Sequence, residues 1–244
     1  MKVVILGATK GMGRALARAL AGRNAEIALL GRDLEDLQRS AADLEAHGTR
    51  RVAVAYCDLS DPSTFGAALD SAQEAMGHFD TVVVTAGLFG TQEELEADPE
   101  RLQRMLDVNF TNTIVFCEQA RRRLLAAGGG TLCVFSSVAG DRARKPTILY
   151  RTTKAGLSYY LSGLDHRYPA DGLRTVLVKP GFVKTGMTAG LQPPPFAGEP
   201  DDVAQTVLAA IEKGKPVVYA PPIWRWVMLV IRMLPRFVMR RIGF

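Results

Sequence analysis

The chain begins with a short apolar run, Val3-Val4-Ile5-Leu6. It passes without a linker into Gly7-Ala8-Thr9-Lys10-Gly11-Met12-Gly13, then into Arg14-Ala15-Leu16-Ala17-Arg18-Ala19-Leu20. The first run predicts a buried strand from Lys2 to Leu6. The last predicts a helix, because alanine, leucine and arginine are strong helix formers. Three glycines leave the backbone bare at the joint. Such a joint suits a pyrophosphate: the chain can approach it closely, and the helix N-terminus offers free N–H groups and positive charge. The spacing is G-x-x-x-G-x-G rather than G-x-G-x-x-G. An ordinary tight turn is the plain alternative, but strand, glycine turn and helix in this order are the context that nucleotide binding requires.

The rest of the chain repeats the strand–helix rhythm. Apolar runs at Glu26–Leu30, Val52–Tyr56, Thr81–Val84, Thr131–Phe135, Arg174–Val178 and Pro216–Ala220 predict six more strands. Between them, helical periods run over Leu34–Ala46, from Asp61-Pro62 to about Met76, from Pro99 to about Ala127 as one helix or two, through Tyr150 to about Tyr168, and over Asp201–Lys213. The stretch 186–200, with Pro193-Pro194-Pro195, has no clear period and reads as a loop over the site. This alternation predicts one Rossmann-type α/β domain, a doubly wound parallel sheet flanked by helices, over residues 1–221, with a tail over 222–244. A chain of 244 residues is ample for one such core. Ligands of this architecture bind at the carboxyl ends of the strands. Gly7, Arg32, Asp58, Thr85, Ser137 and Pro180 all fall at such ends.

The second strand ends in Gly31-Arg32 where an acid would bind the ribose hydroxyl of NAD. An arginine suits a 2′-phosphate instead, and Lys10 can reach the same group, so the expected cofactor is NADP(H). The alternative is two solvated surface charges. Asp58 is placed to meet the adenine amino group, or else to form a turn. Ala86 and Gly87 leave room for the cofactor's ribose and backbone, and Thr185 is placed to bond the nicotinamide amide.

Tyr150 and Lys154 stand four residues apart, which on a helix puts both on one face. A phenol is a weak acid, with a pKa of about 10, and a nearby ammonium lowers that value. The pair can exchange a proton with a carbonyl or alcohol oxygen. Ser137 follows the fifth strand, thirteen residues before Tyr150, and can hydrogen-bond the same oxygen. Taken alone, the pair would be an ordinary helical surface pair. Asn109, amid Leu106, Val108 and Phe110, would by itself be a satisfied core residue. Cys57, Cys117 and Cys133 lie in or beside apolar runs and read as buried reduced thiols. His47, His78 and His166 are scattered, and no catalytic metal is expected.

Taken together, Gly7-x-x-x-Gly11-x-Gly13, Asp58-Leu59, Thr85-Ala86-Gly87, Asn109, Ser137, Tyr150-x-x-x-Lys154 and Pro180-Gly181-x-Val183-x-Thr185 resemble the short-chain dehydrogenase/reductase family across nearly the whole chain. The resemblance implies that Tyr150 is the general acid for carbonyl reduction. Lys154 would lower its pKa and hold the nicotinamide ribose, Ser137 would polarise the carbonyl, and Asn109 would support a water-linked proton relay. Leu59, Pro180, Gly181 and Val183 would line the cofactor. It also implies a homodimer or homotetramer. Two departures stand out: the fourth-strand motif is Thr85-Ala86-Gly87 where the family usually has an NNAG-like run, and Arg151 follows the tyrosine where a small residue is usual. The stretch from Ser136 to Gly156, with its insert Gly140-Asp141-Arg142-Ala143-Arg144-Lys145, and the stretch from Ala220 to Arg241 are similar to a narrower group, the decaprenylphosphoryl-2-keto-erythro-pentose reductases. That group reduces a keto sugar on a polyprenyl phosphate in cell-wall arabinan synthesis. A 3-oxoacyl thioester or another hydrophobic ketone is the competing substrate class, and a non-catalytic NADP-binding regulator is the competing role.

The net charge of +5 comes from the tail: Lys213, Lys215, Arg225, Arg232, Arg236, Arg240 and Arg241 meet no acid before Phe244. The remainder is slightly acidic, which argues against nucleic-acid binding. The segment from Ile223 to Leu234 is apolar and aromatic with basic residues only, a pattern that suits the headgroup region of an anionic membrane. Packing on the domain or a sister subunit is the alternative. No signal peptide or transmembrane run is evident, so the expected location is cytoplasmic, with the inner membrane face as a possible peripheral site.

Overall fold

A computed structural model describes residues 1–49 and 51–242. Its seven strands are β1 (Lys2–Leu6), β2 (Glu26–Gly31), β3 (Val52–Tyr56), β4 (Thr81–Val84), β5 (Gly130–Phe135), β6 (Leu173–Pro180) and β7 (Val217–Ala220). They form one sheet in the order β3-β2-β1-β4-β5-β6-β7, every pair parallel. The order reverses between β1 and β4, which opens a crevice at their carboxyl ends.

The central strands are buried on both faces, so they read as continuous apolar runs rather than alternating ones. Alternation still decides which layer each residue joins. Val3 and Ile5 pack under α1 (Gly11–Ala21), α2 (Leu34–Ala46) and α8 (Pro200–Lys213). Val4 and Leu6 pack under α3 (Thr64–Met76), α6 (Asn112–Ala126) and α7 (Ile148–Arg167). All three cysteines are buried and free.

One element departs from the sequence expectation, and one alternative left open there is decided. A helix absent from it, α4 (Gln92–Ala97), is set by a capping box in which Thr91 and Glu94 each satisfy the other's backbone N–H. The helical stretch after Pro99 is two helices, α5 (Pro99–Leu106) and α6, joined by a π-type turn over Asp107–Thr111. The Thr113 hydroxyl donates to the Val108 carbonyl at 2.7 Å inside that turn. The tail holds α9 (Trp224–Met233) and α10 (Arg236–Arg241), and its residues 243 and 244 lie outside the described residues. No helix among the described residues is long and apolar enough to cross a membrane.

Candidate active site

The glycine joint is closed by close contacts that only a missing side chain permits. Gly7 has φ +99°, and a Cβ there would stand 2.6 Å from the Ala86 nitrogen. A Cβ on Gly13 would stand 2.2 Å from the Gly7 carbonyl oxygen. The Thr85 hydroxyl donates to the Gly7 carbonyl at 2.8 Å and ties the end of β4 to the turn. The departure at Thr85 is therefore a latch on the glycine turn, a role the sequence did not reveal.

Gly7, Thr9, Lys10, Arg32, Asp58, Leu59, Ala86 and Gly87 line one cavity of about 310 Å³ at these strand ends. Within it, Asp33 caps α2 by accepting from the Asp36 N–H at 3.0 Å. Asp36 pairs with Lys10 at 3.4 Å and with Arg39, whose hydrogen bond above all holds the Asp36 carboxyl below the usual range. The Asp58 carboxylate accepts from the Ser60 N–H at 2.8 Å, so it forms a turn while it lines the cavity. The Leu59 carbonyl accepts from the Asn112 amide at 2.7 Å.

The catalytic candidates gather where β5 meets α7. Tyr150 is the third residue of α7, near the positive end of that helix. Its ring packs edge-on against Phe89, with centroids 5.2 Å apart. Burial pushes its phenol up to about 12, against smaller downward pulls from the Ser137 hydroxyl and the Arg151 charge. Ser137 follows β5 by two residues and opens a short turn over Val138–Gly140; its oxygen accepts from the Ala139 N–H at 3.0 Å and lies 3.5 Å from the Pro180 carbonyl. Gly140 lets that turn lie directly on α7, since a Cβ there would meet the Lys154 carbonyl carbon at 2.6 Å.

Lys154 is buried, and its ammonium donates to the Phe135 carbonyl at 3.1 Å. Its nitrogen is 5.8 Å from the Tyr150 ring centroid. Burial lowers its pKa to about 8. In this arrangement the groups that lower the Tyr150 phenol are Ser137 and Arg151, because the Lys154 ammonium is turned to the end of β5. Asn109 sits in the π-type turn with both ends of its amide engaged: Leu88 N–H donates to it at 2.7 Å, and it donates to the Leu88 carbonyl at 2.8 Å. A Cβ on Gly87 would lie 3.2 Å from the Asn109 oxygen and 3.6 Å from the Lys154 nitrogen, so the strand end, the turn and α7 converge there.

The end of β6 completes the crevice. The Thr185 methyl lies over the glycine turn, 3.3 Å from the position of a Gly11 Cβ. The Thr185 N–H donates to the Thr188 hydroxyl at 3.0 Å, and Val183 bridges to Gly198. Met12, beside that turn, packs against the core. Gly181 carries no side chain because the Trp224 indole occupies the space; a Cβ would stand 2.1 Å from the indole nitrogen. One further network escaped the sequence reading. Asp141 pairs with Lys179 at 2.5 Å and accepts from the Tyr219 hydroxyl at 2.8 Å, which ties the loop after Ser137 to β6 and β7.

Arg151 is half-buried. Its Nε donates to the Pro146 carbonyl at 2.7 Å and to the Thr147 hydroxyl at 3.0 Å. Burial, then the neighbouring Arg144 charge, lowers its pKa to about 10. Arg142, Arg144 and Arg151 share a small cavity between the 139–144 loop and α7.

A doubly wound sheet with a bare, latched glycine turn and a tyrosine–lysine pair on the next crevice wall is the arrangement of the oxidoreductases that use a nicotinamide dinucleotide. The turn fits that group: Gly7 and Gly13 hold their backbones where side chains cannot stand, and Gly11 has φ +54°. Residues 1–195 match the sequence model of the short chain dehydrogenases, and the chain belongs to that family. It is 34% identical over 239 residues to an uncharacterized oxidoreductase of Mycobacterium tuberculosis strain H37Rv, covering 98% of this chain and 96% of the relative. It is 29% identical over 216 residues to carbonyl reductase family member 4 of Xenopus tropicalis, covering 85% of this chain and 89% of that one. Among solved structures, a short-chain type dehydrogenase/reductase from Mycobacterium marinum shares the fold, with a TM-score of 0.81 at 23% identity over 91% of this chain and 94% of that one.

Proposed function

We propose that the protein is an NADPH-dependent reductase that converts a carbonyl to an alcohol. The observation that carries this reading is the half-buried Tyr150, whose phenol lies beside Ser137 at the strand ends with its pKa pushed up to about 12 by desolvation. A phenol in that state keeps its proton at neutral pH and serves as the acid of a reduction. The similarity to carbonyl reductase family member 4 of Xenopus tropicalis supports the same reaction class.

The chemistry that a bound reduced nicotinamide supplies is a hydride to the carbonyl carbon. The chain's own residues do the rest. The glycine turn and the N-terminus of α1 hold the pyrophosphate. Ser137, whose contact to Pro180 is a long 3.5 Å, donates to the carbonyl oxygen. Tyr150 delivers the proton that turns this oxygen into a hydroxyl. Lys154 holds the ribose hydroxyls and, with Asn109 and water, returns a proton to Tyr150. Arg32 and Lys10 take the 2′-phosphate. The nearby acids support this choice, since Asp33 is committed to capping α2 and Asp36 to Lys10 and Arg39.

The substrate this reading favours is a keto sugar on a polyprenyl phosphate. Arg142, Arg144 and Arg151 beside α7 suit its phosphate, and the apolar tail suits its lipid. The test is NADPH oxidation, followed by absorbance, against a polyprenylphosphoryl keto-pentose made in situ, an acetoacetyl thioester and simple ketones, with NADH as control. Turnover with the keto sugar is expected, and Tyr150→Phe should lower kcat by about 10²–10⁴-fold while leaving NADPH binding intact. Turnover with the thioester alone would remove the sugar assignment. NADPH binding without turnover on any carbonyl would overturn the reductase reading.

A further inference from the structure

The helix α9 is apolar on two faces, and only one of them is packed. Met228 and Ile231 are buried, with Trp224 and Val227 beside them, against Val138 and Tyr219. On the other side Trp226, Leu229, Val230 and Met233 follow the spacing i, i+3, i+4, i+7, which is a single stripe. All four are exposed, from 49% at Leu229 to 77% at Met233, and Phe237 on α10 is 63% exposed. Scattered exposed apolar residues are ordinary, but an aromatic-bearing stripe on one helix marks a contact surface.

The charge around the stripe selects its occupant. Arg225, Arg232, Arg236, Arg240 and Arg241 are exposed on the same two helices, and the sequence has no acid after Glu212. A twofold pairing of two copies through this face would set arginines against arginines, since a twofold interface joins one patch to itself. The complementary partner is an anionic surface with an apolar layer beneath it. A helix of ten residues is about 15 Å long, half of a bilayer's hydrocarbon core, so it lies along the interface and does not span it.

We infer that α9 and α10 form a docking surface for an anionic lipid bilayer, with the stripe from Trp226 to Met233 in the acyl boundary and the arginines among the headgroups. The surface is fixed to the rest of the molecule at both ends of α9. The Arg142 guanidinium donates to the Leu234 carbonyl at 3.1 Å. The Trp224 indole donates to the Phe196 carbonyl at 3.2 Å and fills the space over Gly181. Docking through α9 therefore sets the 182–199 loop, and the crevice it covers, next to the membrane.

The test is co-sedimentation of the full chain with vesicles of phosphatidylglycerol and phosphatidylcholine in equal parts, beside vesicles of phosphatidylcholine alone. It is read without turnover, so its outcome is separate from that of the reductase proposal. The expected result is binding to the anionic vesicles that weakens with added salt and is at least tenfold weaker to the neutral ones. Trp226→Glu/Met233→Glu and, separately, Arg225→Gln/Arg232→Gln/Arg236→Gln should each weaken anionic binding by tenfold or more. These side chains are exposed, and unchanged NADPH binding will confirm that the variants fold. Absence of binding to anionic vesicles, or equal binding to both compositions, overturns the inference. So does a solution molar mass that falls by half in Trp226→Glu/Met233→Glu, which would assign the stripe to a second copy of the chain.

Discussion

The Thr85 hydroxyl donates to the Gly7 carbonyl oxygen at 2.8 Å, and the same oxygen lies 2.2 Å from where a Gly13 Cβ would stand. One threonine thus fixes the backbone of the glycine turn from the neighbouring strand. The turn's geometry depends on this bond as well as on its glycines. Thr85→Val keeps the shape and removes the donor. A net loss of about 1 kcal/mol of stability is expected, with dinucleotide affinity about tenfold weaker. Urea unfolding and a fluorescence titration with NADPH check the two numbers separately. An unchanged affinity would show that the glycines hold the turn alone.

Cofactor preference should reside in Arg32. Asp33 and Asp36 line the same cavity but are engaged with α2, Lys10 and Arg39, so Arg32, with Lys10 beside it, is the main group to answer a 2′-phosphate. Arg32→Ser should lower kcat/KM for NADPH by about tenfold or more, the worth of one charge-assisted phosphate contact, and change that for NADH little. Equal losses with both cofactors would point to damage of the β2 end instead.

Burial of Lys154 carries a definite pH signature. Its pKa falls from the ordinary 10.5 to about 8. Below about pH 8 both folded and unfolded chains carry the charge, and the full burial cost is present. Between about 8 and 10.5 the unfolded chain binds more protons than the folded one, so stability rises with pH. Tyr150 acts in the opposite sense and later: with the phenol moved from 10 to about 12, stability falls through that higher window. Unfolding of the wild type and Lys154→Met, followed from pH 7 to pH 10, should therefore diverge. The wild type should gain up to roughly 3 kcal/mol relative to the variant. Parallel curves would mean that the ammonium is better solvated than its burial implies.

Much of this architecture is legible in the sequence because the physics is local. The seven apolar runs appear as seven strands, and the central ones, covered on both faces, need nothing but apolar residues. Tyr150 and Lys154 share a helix face because the helical period dictates it. The features that escape are those made by distant residues. Nothing near Thr85 announces its bond to Gly7, 78 positions away. The contact of Trp224 with Gly181 joins the tail to a strand end and leaves no periodic trace. Helix α4 is a different case, since its capping box Thr91-x-x-Glu94 was readable. Asn109 shows how a right position can hold more than one role: its amide clamps Leu88, a core function, in the turn that faces Lys154.

The loop that carries Ser137 should owe its position to Asp141. This carboxylate pairs with Lys179, and the two side chains are only 3% and 12% exposed. It also accepts from Tyr219, whose phenol is pushed up to about 12 by burial first and by Asp141 second. Asp141→Asn keeps the size and one acceptor but leaves the Lys179 ammonium without its counter-charge. Breaking a buried pair from one side costs about 3–5 kcal/mol, far more than the pair contributes over an apolar substitute. A loss in that range is expected by urea unfolding, together with a fall in kcat as the Ser137 turn shifts against α7. Removing both charges in Asp141→Asn/Lys179→Met should recover most of the stability, because no unpaired ion then remains inside. A single variant that loses less than about 1 kcal/mol would place this pair with ordinary surface ion pairs, and the Ser137 turn would then be held by Gly140 and α7 alone.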